Sequence, residues 1–265
     1  MKVFCWNVNS IKARLQIVIK FLQDEAPDVV FLQETKCIDL NFPQELLFDM
    51  GYNCYFHGQK SYNGVAILSK LPVEDVTTEI MPGDTQARYI EGRICAGNEM
   101  YTIASIYVPN GSDPKSEKFE YKMQYFTAIS KRLQAALASD EKFILGGDFN
   151  VAPEAIDVYD AKHLAGKIGF HPAERGHFRK FINQGFVDTY RMQNGCAQEF
   201  SWWDYRTKGF DTGKGMRIDH ILVSPNLVNQ IKEAGIKPVY RGMERPSDHT
   251  PIFIALHAIT ASPFC

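Results

Sequence analysis

The stretch FILGGDFNVAP, from Phe143 to Pro153, decides how the rest of this chain is interpreted. Its opening apolar run predicts a strand that is buried on both faces. The two glycines that follow predict the end of that strand and a close approach of the backbone to a neighbour. Asp148 and Asn150 would point the same way if the chain stays extended, so they could hold a water molecule or a metal. Taken alone, however, these letters favour a plain turn, and the remaining sequence has to decide.

The composition is that of an ordinary soluble globular protein, with 265 residues, of which 45% are hydrophobic and 23% charged. No linker rich in proline, glycine and serine divides the chain, so we expect one domain over residues 1–265 with its core in about residues 1–257. No apolar run reaches the roughly 18 residues that a membrane span needs, and the N-terminus turns polar too early for a signal peptide. Six scattered cysteines without zinc-binding spacing indicate a reducing, intracellular setting, which we take to be the cytoplasm.

The charges are balanced overall but unevenly placed. A net charge of −2 gives no global signal of nucleic-acid binding. Basic residues nevertheless cluster, for example at Arg206, Lys208, Lys214 and Arg217. Such clusters are usually solvated surface. Basic rims around an acidic metal centre would also balance to near zero.

Strands alternate with a few helices along the chain. A strand at Lys2–Val8 precedes a helix that we expect to be capped by Asn9 or Ser10. Val73–Met81 is predicted to be another strand. The longest helix is predicted to start at Asp113–Pro114. Its apolar stripe is predicted to contain Phe119, Met123, Phe126, Ile129, Leu133 and Leu137.

Two short patterns recur in the chain. The segment Trp6–Asn9 resembles Gly147–Asn150, since each follows an apolar strand, and Gly64–Ser69 resembles Asp219–Ser224. Such repetition is typical of two similar sheets packed face to face with helices outside. The pattern is short enough to arise by chance. It favours an α+β fold, a four-layer α/β/β/α sandwich in one domain.

Polar residues stand at the ends of nearly all the apolar strands. Each of them has a structural explanation, because a single asparagine or aspartate commonly ends a strand or caps a turn. Together they offer hard oxygen ligands without sulfur, a set that suits Mg²⁺. Loops on one rim of a rigid scaffold are also where sites are commonly built. The residues are Asn7, Asn9, Glu34, Tyr107, Asn110, Asp148, Asn150, Asp219, Asp248 and His249.

Six motifs in order resemble the exodeoxyribonuclease III family of abasic-site endonucleases, over about Met1 to His257. Each motif alone is unspecific, but their succession is not. They are Trp6–Asn9, Leu32–Lys36, Tyr107–Gly111, Gly147–Asn150, Arg217–Asp219 and Ser247–His249. Two further segments, His57–Lys60 and Ser201–Arg206, resemble the bacterial branch. The resemblance implies the four-layer sandwich that is also found in deoxyribonuclease I.

The resemblance implies roles for the residues around a metal. Glu34 would be the main ligand of Mg²⁺, which Mn²⁺ could replace, with Asn7 beside it. Asp148 would deprotonate the attacking water, and Asn150 would hold that water in line, with both close to the metal. Asn9 departs from the relatives that carry aspartate at this position, which leaves a second metal site in doubt.

The resemblance also implies how phosphate would be held. His249 would bind an oxygen of the scissile phosphate, in a tautomer and charge state set by Asp219. Tyr107 and Asn110 would contact the same phosphate. Asp248 would assist a metal or the leaving oxygen.

Substrate selection is implied at a third group of residues. Trp202, Met216 and Ile218 match positions that line an apolar pocket for a flipped sugar without its base, although ordinary core packing explains them equally well. Arg88 and Arg93 would lie near the DNA backbone.

The implied activity is cleavage 5′ to abasic sites in double-stranded DNA, with 3′–5′ exonuclease and 3′-phosphatase activities at blocked ends. The enzyme is expected to act as a monomer and without a membrane. One alternative is a phosphatase of the same superfamily that acts on inositol phosphates or sphingolipid head groups. The other is a silent DNA-binding or redox partner. The Trp202–Tyr205 segment argues against the first, and the intact set from Glu34 to His249 argues against the second.

Overall fold

The computed structural model describes residues 1–257, and the part of the expected domain after His257, which includes Cys265, lies outside them. Within the described range, the strands fall into two large sheets and one short ribbon. In chain order they are β1 Lys2–Asn7, β2 Val29–Gln33, β3 Asn53–His57, β4 Val65–Ser69, β5 Val73–Thr77, β6 Tyr89–Ala96, β7 Glu99–Tyr107, β8 Phe143–Asp148, β9 Val187–Asp188, β10 Trp202–Trp203, β11 Gly215–Met216, β12 Asp219–Val223, β13 Ile231–Ile236 and β14 Ile252–Leu256.

Helices connect and cover these strands. In chain order they are α1 Leu15–Glu25, α2 Gln44–Asp49, α3 Glu117–Ala138, α4 Ala161–Leu164, α5 Pro172–Gln184 and α6 Thr189–Gln193. Short 3₁₀ segments occupy Asp39–Asn41, Ala155–Asp157, Pro225–Gln230 and Pro238–Gly242. In the described range, no helix is long and apolar enough to cross a membrane.

The two large sheets are built on the same plan. The first has the order β13-β14-β1-β2-β4-β3, and the second, read from its other edge, β9-β12-β8-β7-β6-β5. In each sheet the central strand, β1 or β8, pairs in parallel with one neighbour and antiparallel with the other. The repetition at Trp6–Asn9 and Gly147–Asn150 therefore reflects equivalent strands. Gly64–Ser69 and Asp219–Ser224 lie on β4 and β12. These strands do not occupy equivalent positions in the two sheets, so the similarity of their sequences does not reflect the topology.

Three apolar layers confirm the predicted four-layer sandwich. The middle layer packs the inner faces of both sheets together, including Val3 and Phe31 from one and Ile103 and Ile144 from the other. The outer face of the first sheet packs against α1 and α2. The outer face of the second packs against α3 and α5. Helix, sheet, sheet and helix thus follow one another in an α+β fold.

The two glycines of the central stretch do not end the strand, as the sequence suggested, nor do they form a turn. Strand β8 continues through both to Asp148. A Cβ atom on Gly146 would lie 2.4 Å from the ring of Phe31 in the opposite sheet, and one on Gly147 would lie 2.1 Å from the carbonyl oxygen of Ile106. The close approach is confirmed. Glycine is needed here because the sheets and strands leave no space for a side chain.

Three predicted boundaries were wrong. Asn9 and Ser10 have left-handed backbones, with φ of 46° and 89°, and α1 starts only at Leu15, without a side-chain cap. The longest helix begins at Glu117, because Ser116 caps it by accepting a hydrogen bond from the amide of Phe119. Strand β5 ends at Thr77, since the apolar residues that follow it pack toward α3 and not in the sheet.

The apolar stripe of α3 also differs from the prediction. Met123 and Leu137 are only partly buried, whereas Lys122 is completely buried among the apolar residues of the helix. A buried lysine on such a face is unusual.

Candidate active site

The ends of five strands and the loop before β14 meet at one rim of the sandwich. We call the residues placed there the strand-end cluster, and they come from both sheets. Asp148 ends β8, beside Tyr107 of β7 and opposite Asp219 of β12 in the strand register. The cluster consists of Asn7, Glu34, Tyr107, Asp148, Asp219 and His249.

Asn7 joins the two sheets at this rim. Its amide nitrogen Nδ2 donates to Glu34 Oε1 at 2.7 Å and to Asp148 Oδ2 at 2.9 Å. Asn7 and Asp148 are 141 residues apart in the chain, and both are buried. One amide therefore holds two carboxylates at a fixed separation.

Asp148 is placed to act as a base. Burial raises its pKa to about 7, together with the charges of Asp219 and Glu34, while His249 and the hydrogen bond from Asn7 oppose this rise. A carboxylate with such a pKa can take a proton from water near neutral pH. The cationic side chain beside this carboxylate is His249, whose Nε2 lies 3.6 Å from Asp148 Oδ2.

His249 is held as a cation by its neighbours. Its Nδ1 lies 2.8 Å from Oδ2 of Asp219, and both residues are buried. Burial alone lowers the pKa of this imidazole, but the carboxylates of Asp219 and Asp148 outweigh that effect and raise the pKa to about 10. At neutral pH, Nε2 therefore carries a proton close to Oδ2 of Asp148. A protonated imidazole binds anions and does not ligate metals.

A metal site can be assembled from this cluster. One potential ligand atom each from Glu34, Asp148 and His249 lies within 4.8 Å of the other two. Since His249 is protonated, the two carboxylates are the stronger ligand candidates. A hard divalent cation that keeps several waters needs one or two carboxylates, so this donor set fits it. Lys36 Nζ, 2.7 Å from Glu34 Oε2, partly balances the same charge.

Asn150 lies beside Asp148, but not for the reason that the sequence suggested. The backbone leaves the extended conformation here, because Asn150 has φ of 50°. Its amide N–H donates to Asp148 Oδ1 at 2.8 Å, and its side-chain Nδ2 lies 3.3 Å from Asp148 Oδ2. The side chain of Asn110 donates to Asn150 Oδ1 at 3.1 Å. The expected proximity is confirmed through a tight turn.

Tyr107 completes the rim on the side of β7. Burial, Glu34 and Asp148 raise its pKa well above the usual value, so its hydroxyl stays protonated and can donate to an anion. The guanidinium carbon of Arg88 lies 4.7 Å from the centre of the Tyr107 ring. Arg88 is thus adjacent to the strand-end cluster.

Arg93 lies elsewhere. It pairs with Asp75 on the exposed surface. In the sheet register it stands opposite Thr102, which stands opposite Phe143 at the start of β8. Phe143 and Asp148 are five positions apart along β8, which corresponds to a distance of about 17 Å. The structure does not bring Arg93 to the strand-end cluster.

Asp248 is engaged by two other side chains. Its Oδ1 accepts from Asn9 at 2.9 Å, and its Oδ2 accepts from Trp202 Nε1 at 3.0 Å. Burial raises the pKa of this carboxyl, but His249 and these two hydrogen bonds outweigh burial and lower it. Asp248 is therefore an ionised anchor for Trp202, and it is outside the group of three candidate metal ligands.

The three apolar residues assigned to substrate selection do lie together. Trp202 pairs with Met216 in the β10–β11 ribbon, and both pack with Ile218 and Phe170. We call these four residues the apolar patch. Trp202 is half-buried, and its ring centroid lies 6.5 Å from that of His249. Met216 and Ile218 are buried, so packing accounts for part of their role.

Sequence reasoning missed several supporting residues. Lys36 was quoted within a motif without a role, although it contacts Glu34 and Asn9. Ser201 accepts from the backbone amide of Asp219, and Ser247 donates to the carbonyl of Asn7. Single serines carry no pattern that predicts such contacts. For Lys122 such a pattern exists, because its position in the helical repeat places it on the buried side of α3.

Comparison with known proteins agrees with this geometry. Residues 4–249 match the Endonuclease/Exonuclease/phosphatase family. Exodeoxyribonuclease III of Haemophilus influenzae is 34% identical over 263 residues, which cover 96% of this chain and 98% of that protein.

Two solved structures are also similar. An AP endonuclease from Archaeoglobus fulgidus has a TM-score of 0.91 and 34% identity, covering 97% of this chain and 99% of that one. The 3′ phosphatase NExo from Neisseria, bound to a product DNA hairpin, has a TM-score of 0.92 and 37% identity over the same shares of the two chains. Together with the carboxylates and the charged histidine at one rim, these similarities show that the chain belongs to the Endonuclease/Exonuclease/phosphatase family, in its exodeoxyribonuclease III branch of nucleases.

Proposed function

We propose that this protein hydrolyses the phosphodiester 5′ to abasic sites in double-stranded DNA, and that it removes nucleotides or phosphate from blocked 3′ ends. The observation that carries the proposal is the convergence of Glu34, Asp148 and His249 within 4.8 Å. The similar proteins are named as an exodeoxyribonuclease, a 3′ phosphatase and an AP endonuclease, which supports the same three activities.

The cofactor in this proposal is Mg²⁺, which Mn²⁺ can replace. Glu34 and Asp148 would hold it, with Asn7 fixing their separation. When bound, the cation stabilises the negative charge that develops on the phosphate and on the leaving oxygen. Carboxylate oxygens are hard ligands, so they bind Mg²⁺ and Mn²⁺ in preference to softer metal ions.

The residues perform the hydrolysis as follows. Asp148 takes a proton from water, and the water oxygen attacks phosphorus while Asn150 holds that water in line. The imidazolium of His249 and the hydroxyl of Tyr107 donate to the phosphate oxygens, with Asn110 beside them. The bond between phosphorus and the 3′ oxygen breaks, and that oxygen takes up a proton from solvent. The products are a 3′-hydroxyl and a 5′-phosphate.

The apolar patch would receive the sugar of an abasic site. A sugar without its base offers no base edge to read, so selection depends on the shape of an apolar surface. Asp248 fixes the indole of Trp202 at the border between the patch and His249. Arg88 would neutralise the DNA backbone nearby. We further propose a monomeric single-domain enzyme in the cytoplasm.

Substrate panels test this proposal directly. Purified protein is incubated with a duplex containing one abasic analogue, an undamaged duplex, a nicked duplex with a 3′-phosphate and an inositol polyphosphate. We expect nicking of the abasic strand in Mg²⁺ or Mn²⁺, loss of activity in chelator, and no recovery with Zn²⁺. Release of phosphate from the inositol compound without DNA nicking would contradict the proposal and support the phosphatase alternative.

A further inference from the structure

A completely buried ion pair lies directly behind Asn110 and Asn150. Lys122 on α3 and Glu174 on α5 contact each other through Nζ and Oε1, and both side chains have 0% exposure. A pair of this kind gives little net stability, because removing both charges from water offsets their attraction. Its contacts therefore point to a purpose other than holding the two helices together.

The ammonium group of Lys122 uses all its donors on defined partners. Besides Glu174, Nζ donates to the carbonyl oxygen of Asn110 at 3.0 Å and to that of Asn150 at 2.8 Å. An ammonium group has three N–H bonds, so none is left over. The two carbonyls belong to different loops, one after β7 and one after β8. Lys122 thus fixes the peptide planes of both loops at one point.

The side chain of Asn150 contacts Asp148 directly, and that of Asn110 contacts Asn150. Asn150 donates to the carbonyl of Val108 and lies against Asp148, while Asn110 donates to Asn150. Asn150 has a left-handed backbone, which asparagine tolerates better than most residues with a Cβ atom. The charged hydrogen bond from Lys122 to its carbonyl fixes the orientation of that peptide.

Glu174 connects the same point to the apolar patch. Its Oε1 accepts from the amide of Gly169 at 3.2 Å, and its Oε2 accepts from that of His171 at 2.9 Å. Phe170 stands between these two residues and belongs to the patch. The ion pair therefore links the residues around the phosphate with the wall of the patch.

We propose that Lys122, locked by Glu174, is a positioning residue that holds Asn150 and Asn110 in the orientation needed for hydrolysis. The kinetic effect expected from this inference rests on the proposed function. A misplacement of about 1 Å in a reacting group can cost on the order of a hundredfold in rate. We expect Lys122→Met to lower kcat on an abasic duplex by about tenfold or more, with KM within about threefold of wild type.

A matched control exists on the same helix. Arg132 lies ten residues after Lys122 on α3, about 15 Å away, and pairs with Glu91 and Glu141. Arg132→Met also breaks ion pairs of α3, so it reports loss of stability alone. Its kcat should stay within about twofold of wild type. Where Lys122→Met fails to fold, Lys122→Met/Glu174→Gln removes both charges together and takes its place.

A double-mutant cycle separates positioning from a merely structural role. In the Asn110→Ala/Asn150→Ala background, both side chains that Lys122 orients are gone, so Lys122→Met should lower kcat by less than about twofold more. Loss of the full tenfold in that background would overturn the inference.

A spectroscopic measurement keeps the inference testable without catalysis. The side-chain amide signals of Asn150 and Asn110, assigned from Asn→Ala variants, should shift in Lys122→Met and stay in place in Arg132→Met. Wild-type protein that does not nick abasic DNA would contradict the proposed function, and the amide signals would then decide this inference alone. Unmoved signals in Lys122→Met would refute it.

Discussion

Asp219→Asn is the change that tests the chemistry of the rim most directly. Asparagine keeps the size of the side chain and an oxygen 2.8 Å from Nδ1 of His249, but it removes the negative charge. Among the groups that raise the pKa of His249, Asp219 contributes most. Without it, burial is opposed mainly by Asp148 and Asp248, and the pKa of the imidazole should fall back toward its ordinary value of 6.5.

The size of the effect follows from the pKa. The ordinary value of 6.5 rises to about 10 in the folded protein. A difference of roughly 3.5 units corresponds to ~5 kcal/mol in favour of the imidazolium. At pH 8 the variant would present a neutral ring to the phosphate, and we expect kcat to fall on the order of a thousandfold. Below about pH 6 the ring regains its proton, so the deficit should shrink there.

Stability should change with pH in the same sense. Because the folded pKa of His249 is raised, its contribution to stability is complete below pH 6.5 and is lost as the pH rises through about 10. The melting temperature of the wild-type protein should therefore decrease as the pH rises from 6.5 to about 10. In Asp219→Asn this loss should be largely absent, because the folded pKa is no longer raised.

The assay combines rates with a direct titration. Nicking rates are measured from pH 6 to 10 at constant Mg²⁺, and the imidazole of His249 is followed by NMR. Asp24→Asn, on the exposed surface of α1, serves as a control that changes the same charge far from the rim. The reasoning is refuted if His249 still titrates near 10 in Asp219→Asn, or if kcat at pH 8 stays within about threefold of wild type.

Three other substitutions test separate parts of the site. Asp148→Asn removes the base and should lower the rate by at least about a hundredfold while DNA binding is retained; near wild-type turnover would exclude Asp148 from the mechanism. Glu34→Ala should raise the Mg²⁺ concentration for half-maximal activity by about tenfold or more, and an unchanged titration would place the ligand elsewhere. Trp202→Ala should reduce abasic-site cleavage more than 3′-phosphate removal, with a melting temperature close to wild type. Equal losses with a large drop in melting temperature would show that Trp202 supports the fold.

The strands and the long helix could be predicted because their signals are local. Apolar runs such as Val29–Leu32 identify buried strands by their own composition, and the periodicity of the long helix identifies its buried face. The polar residues that follow those strands are equally visible. Once strands pack in a sandwich, their ends have to lie on its rims, so a polar rim could be expected from the sequence.

Contacts between distant residues required the folded chain. That one amide of Asn7 holds both Glu34 and Asp148 depends on the central strands of two sheets facing each other. The same topology places Arg93 at the far end of its sheet, although its position in the chain is close to Arg88. A strand pattern has a period of two residues and contains no information on which end of a strand faces which neighbour.

The backbone around the site departs from local preferences for the same reason. Strand β8 continues through two glycines because of its neighbours, and a hydrogen bond from Lys122 fixes the peptide of Asn150, whose backbone is left-handed. Lys122 itself stands in an apolar stripe where its burial was detectable, yet its partners come from three other segments of the chain. The chemical type of each side chain can be read directly from the sequence. The charge state of His249 and the direction of the Asn150 side chain depend on packing between distant residues, which no local pattern encodes.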